Sequence, residues 1–165
     1  MRMSEQGRDW LAALEGGYRL HAYLDSAGIP TIGAGAITAL DGTRIKLGDT
    51  WTLEAAQYTF SRQLLWFDEQ VGSLTRDDLS QCEHDALVSF AYNVGIQGFR
   101  TSTLRQWVND HFAPSSIRQQ FMRWCYADED HHHPGLEFSP GLHARRECEA
   151  DCYESKGYFK QGESR

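Results

Sequence analysis

The sequence predicts a mostly helical α+β fold, and three features carry that prediction. Residues 18–50 are Gly-rich and partly alternating, a single apolar stripe at helical spacing runs from Leu53 to Leu74, and Gly- and Pro-punctuated helical segments fill the remainder. A chain of 165 residues with 41% hydrophobic content can bury one core, or two small lobes sharing an interface, without a separate module.

Taken in order, Ser4 is placed to cap a helix over residues 4 to about 15, in which Trp10, Leu11 and Leu14 recur on one side and which Gly16 and Gly17 end. Leu20 to Leu24 reads as a strand, Ser26-Ala27-Gly28 as a turn, and Arg44 to Leu47 as a further short strand between turns at Gly42 and Gly48-Asp49. Residues 18–50 therefore read as a small antiparallel sheet, with Gly33 and Gly35 allowing a tight hairpin. Thr52 caps the next helix with Glu54 in its first turn. Leu53, Ala56, Phe60, Leu64, Phe67, Val71 and Leu74 step by three or four residues, giving one continuous apolar face.

Farther on, Ala86, Leu87, Phe90, Ala91 and Val94 form a buried helical face that Gly95 is expected to end in a left-handed cap. Ser102 and Thr103 read as caps. A helix bearing Ile117, Phe121, Trp124 and Cys125 starts after Pro114 with Ser115 or Ser116 as its cap. After it, residues 127–139 form an acidic, His-rich loop. Its adjacent His131, His132 and His133 do not readily converge on one ion, so a solvated loop is expected and no metal site.

The chemistry-bearing residues cluster early. Glu15, Asp25 and Thr31 put two carboxylates and a hydroxyl within seventeen residues of Gly-rich chain. Hydrolysis of glycosidic bonds commonly uses such a pair, one carboxyl group protonated for the leaving oxygen and one ionised to act on water or on the cationic transition state. Glu15 falls at a helix C-terminus, where the partial negative charge and apolar neighbours suit it to hold a proton, whereas Asp25 at an open turn stays ionised more easily.

The same residues carry a resemblance. Glu15-Gly16, then Arg19-Leu-x-Ala-Tyr-x-Asp25, then Gly28-x-x-Thr31-Ile-Gly-x-Gly35 resembles the signature of phage-type lysozymes, glycoside hydrolase family 24. A second stretch, Asp85-Ala-Leu-Val-Ser-Phe-Ala-Tyr-Asn-Val-Gly95 followed by Gly98 to Leu104, resembles that family's helix and turn, and Pro140-Gly-Leu-x-x-Arg-Arg-x-x-Glu149 its last major helix. The resemblance implies a two-lobed lysozyme-like fold. Its N-terminal catalytic lobe would span about 1–51, a connecting helix about 52–74, and a helical C-terminal lobe about 75–165.

It also implies an endolysin that cleaves the β-1,4 bond between N-acetylmuramic acid and N-acetylglucosamine in bacterial peptidoglycan. Glu15 would be the general acid, with Asp25 and Thr31 positioning the attacking water in an arrangement like that of an inverting hydrolase. Gly35 borders the cleft. Asn93 either hydrogen-bonds a substrate acetamido or hydroxyl group or caps its helix. Arg145 or Arg146 is expected to pair with Glu15 across the lobes, a charge that favours the ionised form against the helix end. Two departures stand out. Nine residues separate Glu15 from Asp25 where the family usually has eight, so the loop must bulge, and Ala36 stands where a His usually follows the second Gly. Altered activity is expected from these, rather than its loss.

The net charge of −7 argues against nucleic-acid binding and does not draw the chain toward an anionic wall, although Arg19, Arg44, Lys46, Arg100, Arg105, Arg145 and Arg146 could form a local basic cleft. The polar N-terminus does not read as a signal peptide, and no apolar run approaches the roughly 20 residues of a membrane span. The resemblance then implies a monomer made in the host cytoplasm, acting on the wall after release that depends on a second protein such as a holin. No cofactor is expected, since carboxylates suffice for proton transfer. Cys82, Cys125, Cys148 and Cys152 read as buried thiols, with a disulfide an option in the periplasm. Two other readings remain: a wall-binding protein that keeps the cleft with weakened catalysis, and an antibacterial toxin or virion-associated muramidase with the same chemistry and different delivery.

Overall fold

The computed structural model describes residues 1–25, 27–127, 137–160 and 162. Its elements run α1 (Glu5–Leu14), β1 (Arg19–Leu24), β2 (Pro30–Gly33), α2 (Leu53–Leu74), α3 (Gln81–Thr101), α4 (Thr103–Asn109), α5 (Pro114–Met122), β3 (Tyr126–Ala127), β4 (Glu137–Phe138) and α6 (Pro140–Tyr153). The helical α+β class expected from periodicity is the one observed. Among the described residues no helix is long and apolar enough to cross a membrane.

Capping follows the sequence closely at the first two helices. The Ser4 hydroxyl accepts the Gly7 amide at 2.8 Å, and the Thr52 hydroxyl accepts the Ala55 amide at 3.1 Å. The end of α1 is a Schellman turn: Gly16 N–H reaches Ala13 O at 3.1 Å and Gly17 N–H reaches Ala12 O at 2.8 Å, with φ of 89° and 82° at the two glycines. Glu15 is the residue that this turn leaves at the helix mouth.

β1 and β2 pair antiparallel, Tyr23 opposite Thr31 and Arg19 opposite Gly33, with a register irregularity between Arg19 and Tyr23. The strand thus carries a bulge or irregularity within β1. The strand expected over Arg44 to Leu47 is not formed. Ile45 is buried as alternation predicts, but only the single bridge Thr38 to Arg44 forms, because Lys46 and Asp49 close a tight turn in which Lys46 N–H bonds the Asp49 carboxylate at 2.8 Å. The hairpin lobe keeps its own small apolar cluster of Ile32, Ala36 and Ile45 under Trp51.

The main core gathers Trp10 and Leu11 of α1, Phe60, Leu64 and Val71 of α2, Leu87, Val88 and Phe90 of α3, and residues of α4, α5 and α6. Each fully buried side chain of this size contributes about 1.5–3 kcal/mol. The apolar face of α2 is interrupted at its first member: Leu53 is half exposed, since it lies in the opening turn beyond the core. Asp68 occupies a buried position on the same helix, where it accepts the Met3 amide at 2.8 Å and faces His84 Nε2 at 3.1 Å.

The remaining expectations divide. Gly95 does have positive φ, but with ψ of 152° it is not a left-handed cap; it kinks α3, and helix resumes beyond it. Ser102 caps α4 by accepting the Arg105 amide at 3.1 Å, and Thr103 is the first helical residue, not a cap. Neither Ser115 nor Ser116 caps α5. The cap position is Ala113 with Pro114 as the first helical residue, where its missing N–H costs nothing, and both serines lie in the first turn. Trp124 and Cys125 lie just past the end of α5, with Cys125 buried. The ends of the His-rich loop pair as β3 and β4, whereas residues 128–136 lie outside the described residues.

Candidate active site

Glu15 is 23% exposed at the side chain, held at the end of α1 by its amide bond to Leu11 O at 3.0 Å. Its Oε1 lies 2.8 Å from Arg145 Nη1. Arg145 is the pairing partner of the two arginines proposed from sequence, and its neighbour Arg146 points elsewhere. Both straddle Glu149 on α6, three and four residues away: Arg145 Nε meets Glu149 Oε1 at 3.0 Å, and Arg146 Nη1 hydrogen-bonds Glu149 Oε2. Glu149 is wholly buried and also accepts the Ser89 hydroxyl at 2.7 Å.

The charges sort the two guanidiniums. Burial pulls Arg145 toward the neutral form, but Glu149 and Glu15 together outweigh it, so its pKa stands above the ordinary arginine value. Arg146 is more weakly supported: burial dominates, Arg145 adds repulsion, and its pKa falls below the ordinary value despite Glu149. It stacks over Phe90 at 4.8 Å and donates to Trp124 O at 3.2 Å and to Asn93 Oδ1. Asn93 is exposed, and this bond fixes its side-chain oxygen toward Arg146, turning the amide nitrogen away. The side-chain oxygen is thus held by α6.

Asp25 and Thr31 are joined through one peptide. Asp25 Oδ1 accepts the amides of Ala27 at 2.9 Å and Ile29 at 2.8 Å, while Ile29 O accepts both the Asp25 amide at 3.0 Å and the Thr31 hydroxyl at 3.0 Å. The turn thus clamps one carboxylate oxygen and leaves Oδ2 outside that pair of bonds. Thr31 is buried and its proton is committed to Ile29 O, so its oxygen is left to accept.

Tyr92 links the two halves and was not anticipated. Its hydroxyl is 3.5 Å from Ala34 O and its ring meets Phe60 and Phe67 edge-on or tilted, at 5.8 and 5.1 Å. Burial first, and the charge of Glu15 second, push its pKa up to about 12. Gly35, with φ of 96°, lies directly below: a Cβ there would sit 3.9 Å from the Tyr92 hydroxyl. The signal in sequence was its place beside Asn93, off the buried stripe of α3. Glu149 was legible as a partner from its spacing to Arg145 and Arg146. No group of three or more His, Cys, Asp or Glu suited to a metal ion occurs among the described residues.

The structure therefore brings Glu15 to Arg145 and near Tyr92, Gly35 beneath Tyr92, Asp25 to Thr31, and Asn93 to Arg146. Glu15 and Asp25 thus stand on different elements, one carboxyl group beside a guanidinium and the other with one oxygen held by two backbone amides. The Phage lysozyme family model matches residues 13–149. The endolysin of Salmonella phage P22 is 40% identical over 130 residues, covering 79% of this chain and 88% of that protein. The solved endolysin from Escherichia coli O157:H7 phage FAHEc1 superposes with a TM-score of 0.88 at 34% identity, covering 97% of this chain and 98% of that one. The muramidase domain of SpmX from Asticaccaulis excentricus does so with a TM-score of 0.77 at 27% identity, covering 92% and 97%. With a mostly helical fold, a small antiparallel hairpin and these relatives, the chain belongs to the phage lysozyme family and is a glycoside hydrolase of lysozyme type.

Proposed function

We propose that this lysozyme is an endolysin that hydrolyses the β-1,4 bond between N-acetylmuramic acid and N-acetylglucosamine, with Glu15 as general acid. The observation that carries the assignment is the Glu15 carboxyl group, partly open at the mouth of α1 and 2.8 Å from the buried Arg145 guanidinium. Protonated Glu15 delivers its proton to the glycosidic oxygen. Arg145 then faces the carboxylate so formed and fixes its direction. Asp25, with one oxygen clamped, presents the other toward water, and the Thr31 oxygen accepts a hydrogen bond from that water. The Asn93 amide nitrogen and the Gly35 backbone border the sugar. The catalytic lobe spans about 1–51, the connecting helix about 52–74 and the helical lobe about 75–165. The chain acts as a monomer, made in the host cytoplasm and released to the wall through a holin.

The test is release of reducing ends from purified peptidoglycan by the unaltered chain and by Glu15→Gln, with chitin and chitosan alongside. Loss of about 10²-fold or more in Glu15→Gln at unchanged melting temperature supports the assignment. Equal activity of the two proteins overturns it, and wall binding with no turnover by the unaltered chain makes this a binding protein.

A further inference from the structure

The hydrolytic reading uses no cysteine, yet two of the four meet where α3 packs on α6. Cys82 lies in the first turn of α3 and Cys152 in the last turn of α6. Cys152 Sγ donates to Cys82 O at 3.4 Å, and Cys82 Sγ lies 3.8 Å from the Tyr158 hydroxyl. Both thiols are free; Cys152 is buried and Cys82 half-buried, so one member of the pair is open to a reagent. Burial first, and the adjacent Cys82 thiol second, push the Cys152 thiol up, which makes Cys82 the natural first point of attack.

We propose that Cys82 and Cys152 are a cross-linking site at which a small disulfide oxidant, such as glutathione disulfide, installs one bond between the start of α3 and the end of α6. The Cys82 thiolate attacks a sulfur of the oxidant, forming a mixed disulfide and expelling one glutathione thiolate. Cys152 then loses its proton and attacks the Cys82 sulfur, expelling the second. Two protein S–H bonds become one S–S bond, and both protons end on two molecules of reduced glutathione. The closed loop holds about 70 residues and encloses α4, α5 and the rest of α3 and α6, including Arg145 and Glu149. A loop of that length constrains the unfolded chain strongly. Around the bond, the Ser4 hydroxyl at 2.6 Å and the Tyr158 hydroxyl at 2.8 Å already meet the buried Asp85 carboxylate, so the cap of α1 and the segment after α6 are gathered at the same point. The cross-link would lock a corner that hydrogen bonds have already assembled.

The experiment is incubation of the full chain with glutathione disulfide at mildly alkaline pH, followed by a thiol count under denaturing conditions, intact mass and peptide mapping. The expected result is a fall from four thiols to two, a Cys82–Cys152 peptide, and a melting temperature raised on the order of 10 °C. Cys152→Ser should instead stop at a glutathione adduct on Cys82, and Cys82→Ser should keep its three thiols. Four thiols after oxidation, an adduct that persists on Cys82 in the unaltered chain, a map giving any other pair, or a cross-linked protein that melts no higher would each overturn the proposal. None of these readouts depends on hydrolytic activity, so the failure of one reading leaves the other standing.

Discussion

Arg145 Nη1 lies 2.8 Å from Glu15 Oε1, which joins the last helix to the mouth of the first. Because Arg145 also neutralises the buried Glu149, Arg145→Ala removes a charge that two carboxylates share. The expected loss is roughly 3 kcal/mol of unfolding free energy, with a large fall in reducing-end release. Arg145→Lys should keep part of both, since an ammonium holds one carboxylate and not two. Urea unfolding beside turnover measurements would check this, and unchanged stability in Arg145→Ala would mean that Arg146 alone satisfies Glu149.

Glu149→Gln tests the hub itself. Neutralising the fully buried carboxylate leaves two buried guanidiniums facing each other on one helix, and about 3–5 kcal/mol of stability should be lost. Arg146, whose pKa is already depressed, is the side chain expected to move. Denaturant midpoints measure the effect, and a midpoint within error of the unaltered chain would contradict the burial argument.

Asp25→Asn separates charge from structure. The asparagine oxygen can still accept the Ala27 and Ile29 amides, so the turn should survive with a melting temperature within about 2 °C, while activity falls on the order of 10²-fold or more. Thr31→Val serves as its companion: it removes the hydroxyl that bonds Ile29 O, at about 1 kcal/mol. Full activity in Asp25→Asn would remove that carboxylate from the mechanism.

Alkali should expose Tyr92. Its folded pKa of about 12 exceeds the ordinary 10.0, and Tyr153 behaves alike through burial and then the charge of Glu83. Raised folded values mean that the unfolded chain releases these protons first, so stability is intact below pH 10 and falls as the pH rises toward 12. Tyr92→Phe should flatten that decline by roughly 1 kcal/mol in chemical unfolding at pH 11 relative to pH 8. The same decline in Tyr92→Phe would place its origin elsewhere.

How much of this was legible depended on range. Ser4, Thr52 and Gly16-Gly17 act within one helical turn, so their roles could be read directly, as could the stripe from Ala56 to Val71. Local signals misled where a second local interaction competed. The alternation of Arg44 to Leu47 lost to the Lys46–Asp49 turn, and Pro114 displaced Ser115 and Ser116 by taking the first helical position itself. Leu53 kept helical spacing but lay one turn outside the core.

The sequence by itself determined the helical class, the family and the set of residue types at the hairpin, because caps, periodicity and motif spacing are short-range properties of the chain. Only the tertiary structure decided which arginine meets Glu15, that Tyr92 bridges to Ala34, that Asn93 is held by Arg146, and that Asp68 and Glu149 are buried. Those choices turn on the rotation of α6 against α3 and on which charges burial leaves a partner. Such energies depend on distance in space between residues up to 130 positions apart, as Glu15 and Arg145 are, and no local pattern records it.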